Sequence, residues 1–531
     1  MTSNDLGRPG RKLSSRYVEA VYVDHPNPEY RGNPLISALP HFLDNNSLIE
    51  ALEKLPQFDE SQREHPAALR LTYIGRLSRC VIALPRTTEL ARALLDLMLE
   101  GYVGREPFLP EHRLTQQRLY EARKRGAKLD DLPDAKSAVA LRTRDAGAEL
   151  STAFIGASGS GKTTTMKQVA GLFPEVIVHE DMWQVPVLIF ELPPDGKTVH
   201  GLATAIIDAL DRLLPFSGYA DMYLRNVNRK NAYERIYDAA SLIQAHGVGL
   251  LIADESQKQK PTEEQLKRKE NPTQTQHQQL SSDHDTPLIQ LLIAASNKLG
   301  VPLVLVGTNE LHDVLHGRFS KQRRAVGHGI EYWKFLERSG DVRHPNEFEA
   351  LLRKLWKFQW VKNSVKMSDD RANLFFELTQ GNPDIMVKLF ASAQRKAIRD
   401  GVEELTEALV RETFRVEFRA VHDPLEAHKE QDPEKLLNYL DIAPVELRAG
   451  PDYPKVAAQM NERNHQRKRK AASAAKTRAK DAEPPTAVDL GEGPTKMVKL
   501  TDALSGADGD GSSVQTRLTQ AGALAAKHDA V

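Results

Sequence analysis

The stretch Phe154-Ile-Gly-Ala-Ser-Gly-Ser-Gly-Lys-Thr-Thr-Thr-Met166 decides the reading of this chain. Gly156, Gly161, Lys162 and Thr163 match G-x-x-x-x-G-K-[ST], the phosphate-binding loop. Glycines allow the backbone to turn tightly, so that consecutive N–H groups point at phosphate oxygens. Gly156, Ala157, Ser158, Gly159, Ser160, Gly161, Lys162, Thr163 and Thr164 are therefore expected to cradle a nucleotide. Lys162 is expected to reach the β- and γ-phosphates, and the Thr163 hydroxyl to hold Mg²⁺. A helix from about Thr164 adds its positive N-terminal end to the same anion site. Apolar Leu150 to Ile155 reads as a strand and Met166 to Phe173 as a helix, the context that separates this loop from a merely structural Gly/Ser turn.

Working outward, the 531 residues suffice for two or three domains. Seventy-two basic and 72 acidic residues leave no net charge, so overall charge points to no nucleic-acid partner and local patches must carry any such argument. A single cysteine, Cys80, excludes a disulfide framework and a cysteine zinc site and suits a reducing cytosol. No apolar run approaches the ~20 residues of a membrane span. The N-terminus lacks a signal-peptide core. A soluble, cytoplasmic protein with no membrane partner is expected.

Downstream of the loop come apolar runs at Val176 to His179 and Val185 to Phe190, then helices at about Thr198 to Leu214 and Asn231 to His246. Gly249-Leu-Leu-Ile-Ala-Asp-Glu255 has four apolar residues ending in Asp-Glu, the Walker B pattern. A buried strand there carries Asp254 to the edge of the sheet where ligands bind. Asp254 is expected in the Mg²⁺ shell, and Glu255 to orient and polarise the attacking water. A helix N-terminus favouring acids is the alternative. Gln257 to Thr286 is polar and reads as a surface insertion before a helix at Leu288 to Leu299. Val301 to Gly307 is the next strand, and Thr308 and Asn309 at its tip stand where a γ-phosphate sensor sits, or in an ordinary loop. His312 and His316 share an i, i+4 spacing but lack the glutamate of a zinc helix, so a solvated face is the better reading. Arg318, Lys321, Arg323 and Arg324 read equally as a solvated run and as an arginine finger for a neighbouring subunit.

Upstream, residues 1–16 are expected to be a disordered tail, and 17–135 an arm followed by a helical region. Tyr17 to Leu39 reads as a strand and an extended arm. Ser47 is the expected cap of a helix bearing Leu48, Ile49, Leu52 and Leu55. Arg86 to Leu99 is a stronger helix, ended by Gly101-Tyr-Val-Gly-Arg105, and residues 110–135 are charged and helical in pattern. Residues 136–340 form the α/β core, with a last strand at Gly329 to Phe335. Residues 341–430 form a helical lid (Leu351 to Trp360, Ser368 to Leu378, Pro383 to Ala397, Leu405 to Phe418), with Pro383 just inside a helix start. Residues 431–531 are expected to be mostly disordered. Within them Arg463 to Lys480 holds eight Lys/Arg and no Asp/Glu, which suits phosphate backbones and a solubilising tail equally.

The order of Walker A, intervening strand, Walker B, polar strand tip, Arg cluster and helical lid resembles that of AAA+ ATPases, whose fold is an α/β phosphate-loop core with a parallel sheet and a small all-α lid. The resemblance narrows to the TnsC transposition regulators. Ala20-Val-Tyr22 with Tyr30-Arg-Gly-Asn-Pro-Leu-Ile-Ser-Ala-Leu-Pro40 looks like their opening. Gly101 to Arg105, the loop Gly156 to Thr164, Arg323-Arg-Ala325 with Gly327, Asp384-Ile-Met-Val-Lys-Leu-Phe390 and Val421-His-Asp-Pro-Leu-Glu-Ala427 continue it in the same order.

That resemblance implies an ATP-dependent, DNA-binding regulator of a bacterial cut-and-paste transposon. Such a protein assembles with itself on duplex DNA as rings or filaments, receives a signal from a target-selection protein and engages transposase subunits. ATP and Mg²⁺ are the implied cofactors, and slow ATP hydrolysis would take the assembly apart. Thr308 or Asn309 would sense the γ-phosphate, and Arg323 or Arg324 would act across a subunit interface. Lys388 stands where many AAA+ proteins carry a sensor arginine. DNA contacts are implied between Walker A and Walker B, with Lys197, Thr198, Arg225, Arg229 and Lys230 as candidates, through backbone phosphates and hence salt-dependent. A DNA-loading or remodelling ATPase of the initiator or clamp-loader type is the competing reading, and a signalling ATPase without a DNA role is the third.

Overall fold

In a computed structural model the described residues are 16–42, 44–107, 150–193, 198–214, 216–224, 232–258, 288–315, 329–338, 346–436, 438–439 and 441–448, all within the unit Met1–Met460. The N-terminal part carries strand β1 (Tyr17–Glu19) and helices α1 (Pro34–Ser37), α2 (Asn45–Leu52), α3 (Ala67–Ile74) and α4 (Pro85–Tyr102). The α/β part runs β2 (Ser151–Gly156), α5 (Lys162–Ala170), β3 (Val176–Val178), β4 (Trp183–Gln184), β5 (Val187–Glu191), α6 (Val199–Leu213) and α7 (Ala232–Ala245). It continues through β6 (Leu250–Asp254), α8 (Leu288–Leu299), β7 (Leu303–Gly307), α9 (Glu310–Leu315) and β8 (Ile330–Trp333). Helices α10 (Glu347–Trp356), α11 (Asp369–Thr379), α12 (Pro383–Arg399), α13 (Glu407–Glu417), α14 (His422–Glu430), α15 (Pro433–Leu436) and α16 (Val445–Arg448) follow.

Five strands form one sheet in the order β5-β6-β7-β2-β8, and every neighbouring pair is parallel. All their C-terminal ends therefore share one edge. Side-chain alternation splits the strands between two covered faces. Ala153, Ile155, Leu251, Ala253, Leu303 and Leu305 pack against α6, α7 and α8. Phe154, Leu250, Ile252, Val304 and Val306 pack on the other face against Leu35, Ile36, Leu39, α4 and α5. The N-terminal segment is thus one layer of the α/β core. Leu35 and Ile36 are fully buried, so the end of the stretch expected as an extended arm is packed core, while Val21, Tyr22 and Val23 before it are exposed. Each of Leu90, Leu94, Leu97 and Met98 on α4 contributes about 1.5–3 kcal/mol by leaving water.

A second, three-stranded sheet joins β1 parallel to β3 and β3 antiparallel to β4. The apolar run at Val176 to His179 thus contributes β3 to this smaller sheet and not to the five-stranded one. Asp44, not Ser47, caps α2: it sits in extended backbone three residues earlier, and its carboxylate accepts from Ser47 N–H at 2.8 Å. Thr198 and Ser368 cap α6 and α11. The region 110–135 lies outside the described residues.

Helices α10 to α13 close a separate core with α3 and with Leu77, Ile82 and Leu84. Two ion pairs, each with a buried arginine, tie this lid to the N-terminal layer. Arg70 makes two 2.6 Å bonds to the Glu403 carboxylate, and Arg86 binds Glu347 through both its backbone N–H and its guanidinium. Past the lid, α14 to α16 carry ordered packing beyond the expected boundary at 430. Leu436 and Ala443 pack on Ala427 of α14, and Ile442 packs on Phe335 and Ala157.

Candidate nucleotide-binding site

The loop between β2 and α5 bends through two left-handed glycines, Gly159 (φ +81°) and Gly161 (φ +97°), where a Cβ is strained. At Gly156 the constraint is space: a Cβ would lie 2.9 Å from Ser160 Oγ and 3.0 Å from the Trp333 carbonyl. Lys162 opens α5, and its Nζ donates to the carbonyls of Gly156 (2.8 Å) and Ala157 (2.9 Å). Burial pulls the Lys162 ammonium down to about 8, opposed by the charges of Asp254, Glu255 and Asp441.

Strand order then assembles the site. Strand β7 lies between β2 and β6, with Ile155 level with Gly307 and Ala253 with Leu305. The tip at Thr308 therefore stands between the loop and the Asp254-Glu255 pair. Thr163 Oγ1 donates to Asp254 Oδ2 at 2.9 Å, so the two groups expected to share a cation already converge. Asp254 Oδ1 accepts from the Glu255 N–H at 2.9 Å, and Glu255 takes a left-handed φ of +57°.

These residues line a cavity of about 450 Å³. One end is polar: Ser158 to Thr165, Asp254, Glu255, Gln257 and Thr308. The other is apolar, with Leu77, Ile82, Leu84, Leu336, Leu351 and Val387 from the N-terminal layer and lid. A phosphate cradle continuous with an apolar slot fits a nucleotide. The loop's buried Ser160 Oγ, which has no hydrogen-bond partner among the described residues, is a further group a phosphate can satisfy. The Thr163–Asp254 pair supplies the oxygen donors that Mg²⁺ prefers.

The lid closes over the loop through the start of α12. Asn382 caps that helix and donates to the Ser158 carbonyl at 3.1 Å, and a Cβ on Gly159 would strike the Asn382 amide at 2.6 Å. Lys388 lines the cavity and is paired with Asp384 at 2.6 Å.

Of the strand-tip pair, Thr308 lines the cavity, whereas Asn309 is buried with its amide donating to the Ala443 carbonyl at 2.9 Å. His312 Nδ1 and the Tyr332 hydroxyl are 2.9 Å apart, and His316 lies outside the described residues. So do Arg318, Lys321, Arg323 and Arg324, and the DNA candidates Lys197, Arg225, Arg229 and Lys230. Thr198 is exposed and caps α6, its Oγ1 accepting from Gly201 N–H at 3.2 Å.

Sequence reading missed three parts of the site. Leu77 to Leu84 carries no motif and becomes cavity wall only through packing. Gln257 opens the polar stretch that reads as a surface insertion, but it belongs to a 3₁₀ turn (Ser256–Lys258) just after β6, and its side chain bonds Glu255 and Thr308. The segment through Ala443 was expected to be disordered, yet the Ser158 N–H donates to the Asp441 carbonyl at 3.1 Å. Only Gln257 carried a local signal, its distance of two residues from Glu255.

Residues 145–315 match a family model described as an AAA domain. Among solved structures, the chain is similar to the RuvB Holliday junction branch migration motor of Thermotoga maritima, 16% identical over 58% of this chain and 68% of that one, with a TM-score of 0.26. It is similar also to the ORC2 protein of Aeropyrum pernix in its ADP form, 15% identical over 51% of this chain and 63% of that one, with a TM-score of 0.26. No curated protein matches the chain. No helix among the described residues is long and apolar enough to cross a membrane. The family match over residues 145–315, the parallel five-stranded sheet and the glycine-bent loop before α5 together give this chain an α/β phosphate-loop core that resembles the AAA+ core.

Proposed function

We propose that this chain is an ATP-hydrolysing regulator of DNA transposition of the TnsC type. In this reading it assembles with itself on duplex DNA when ATP is bound and disassembles on hydrolysis. The observation that carries the ATPase part is the 2.9 Å approach of Thr163 Oγ1 to Asp254 Oδ2 at the mouth of the glycine-bent loop. The transposition part is supported by the motifs from Ala20 to Ala427 that resemble that family.

The loop amides and the Lys162 ammonium bind and orient the phosphates. Mg²⁺ held by Thr163 and Asp254 would neutralise charge on the phosphate oxygens. Glu255 orients a water and draws on its proton, and Thr308 donates toward the terminal phosphate. Pro383, Val387 and the apolar slot exclude bulk water. Arg323 or Arg324 of an adjacent subunit would complete the charge stabilisation. Lys197, Thr198, Arg225, Arg229 and Lys230 would meet DNA phosphates, giving weakly sequence-selective, salt-dependent binding. Transposase subunits and a target-selection protein are the proposed partners.

The test is electron microscopy of the purified protein with duplex DNA, under no nucleotide, ADP and a non-hydrolysable ATP analogue, beside a phosphate-release assay. Rings or filaments formed only with the ATP analogue and DNA are expected. A monomer under all three conditions overturns the assembly reading, and absence of Mg²⁺-dependent phosphate release overturns the ATPase reading.

A further inference from the structure

The side chain of Gln257 joins two parts of the site that the chain supplies separately. Its Nε2 donates to Glu255 Oε2 at 3.0 Å, and its Oε1 accepts from the backbone N–H of Thr308 at 3.2 Å. One primary amide therefore links the Walker B glutamate to the tip of β7. Only a group with both a donor and an acceptor at this reach can make both bonds.

The surroundings hold that amide in place. Ser256 is fully buried, and its hydroxyl donates to the Ala253 carbonyl at 2.8 Å, which pins the turn to the end of β6. Gly307 leaves β7 bare where Gln257 lies on it: a Cβ there would stand 2.7 Å from Gln257 Oε1 and 2.9 Å from Leu311 Cβ. Glu255 sits in the left-handed region, at φ +57°, which a residue with a Cβ occupies only when its neighbours hold it there. Both Glu255 and Gln257 line the phosphate end of the cavity.

We propose that Gln257 is a positioning residue for hydrolysis. It keeps the Glu255 carboxylate turned toward the phosphate end, and it ties that orientation to β7, so that a displacement of Thr308 on contact with the terminal phosphate is transmitted to the water-orienting group. This rests on the reading of Glu255 given above. A carboxylate held less firmly in one orientation orients water in a smaller fraction of encounters, so losing the Gln257 bond lowers turnover without removing any contact to the nucleotide.

The experiment measures steady-state MgATP turnover and the Kd of a non-hydrolysable ATP analogue for wild type, Q257A, Q257E and E255Q, with the thermal midpoint of each. Q257E keeps the shape and the acceptor for Thr308 N–H but has no donor for Glu255. Both Gln257 variants are expected to lower kcat by about ten- to a hundredfold, with the Kd of Q257A within about twofold of wild type and that of Q257E raised only about two- to fivefold by its added charge. Wild-type turnover in Q257E would make the amide a prop for β7 and overturn the proposal. Faster turnover in Q257A would make it a restraint, and overturn it equally. E255Q separates the two readings: if it keeps wild-type turnover, the role given to Glu255 fails and this proposal with it. If E255Q falls while both Gln257 variants do not, only this proposal fails.

Discussion

Asn309 and Ala443 are 134 residues apart in sequence, yet the Asn309 amide donates to the Ala443 carbonyl at 2.9 Å. Together with the Ser158 N–H bond to the Asp441 carbonyl, this seats the segment after the lid directly on the phosphate loop and the β7 tip. Ile442, buried against Phe335 and Ala157, is its apolar anchor. Ile442→Asp should release the segment. Losing that burial costs about 2–4 kcal/mol, so tryptic cleavage at exposed Lys435 should speed up by at least about tenfold. Cleavage at the wild-type rate would show that the anchor lies elsewhere.

Asp441 adds a negative charge beside Lys162, where phosphates would bind. Removing that competitor should strengthen nucleotide binding. Asp441→Asn is expected to lower the Kd for ATP about two- to fivefold, the effect of roughly 0.5–1 kcal/mol of screened Coulomb energy. Calorimetric titration at low and high salt checks it. An unchanged or weaker affinity would refute the assignment.

Thr163 and Asp254 meet at 2.9 Å, where a cation would sit, whereas the Glu255 carboxylate accepts from Gln257 Nε2 at 3.0 Å. Binding and hydrolysis should therefore separate. Asp254→Ala is expected to remove the Mg²⁺ dependence of ATP binding. Glu255→Gln should leave binding within about twofold and reduce turnover by about a hundredfold or more. Equal losses of binding in both variants would contradict the division of roles.

Arg86 and Glu347 are both buried, and their pairing fastens the lid to the N-terminal layer beside the cavity. Glu347→Ala leaves a guanidinium buried without its carboxylate, and a loss of about 3–5 kcal/mol is expected. Replacing both partners by apolar residues, Arg86→Met with Glu347→Leu, should recover most of it. Denaturant unfolding of the single and double variants reads the difference, and a neutral single variant would show that the pair is not stabilising the closed arrangement.

Cys80 lines the cavity at the phosphate loop, and burial pushes its thiol up to about 11, with the Glu53 charge adding to the effect. At neutral pH its thiolate fraction is on the order of a hundredfold below that of a free cysteine. Alkylation by iodoacetamide should be correspondingly slow, rise about tenfold per pH unit toward pH 11, and slow further with ATP bound. As the chain's single cysteine, it makes the readout unambiguous. Free-thiol reactivity at pH 7.5 would contradict the burial, and indifference to ATP would place the nucleotide away from the N-terminal wall.

Much of the site was legible because its chemistry is local. The loop needs glycines at Gly159 and Gly161 for their left-handed backbone, and Asp254-Glu255 follows an unbroken apolar strand, so spacing alone exposes both. Periodicity and capping residues likewise marked α4, α6, α8 and α12 to within a few residues. Tertiary structure decided what no local pattern encodes. Leu35 and Ile36 are core because a sheet with two apolar faces must cover the second one with whatever segment is at hand. Leu77 to Leu84 became a cavity wall by packing against the lid. The segment at Asp441 to Ala443 is anchored by one apolar side chain, Ile442, and seated by its own carbonyls, groups that every residue possesses and that composition therefore cannot reveal.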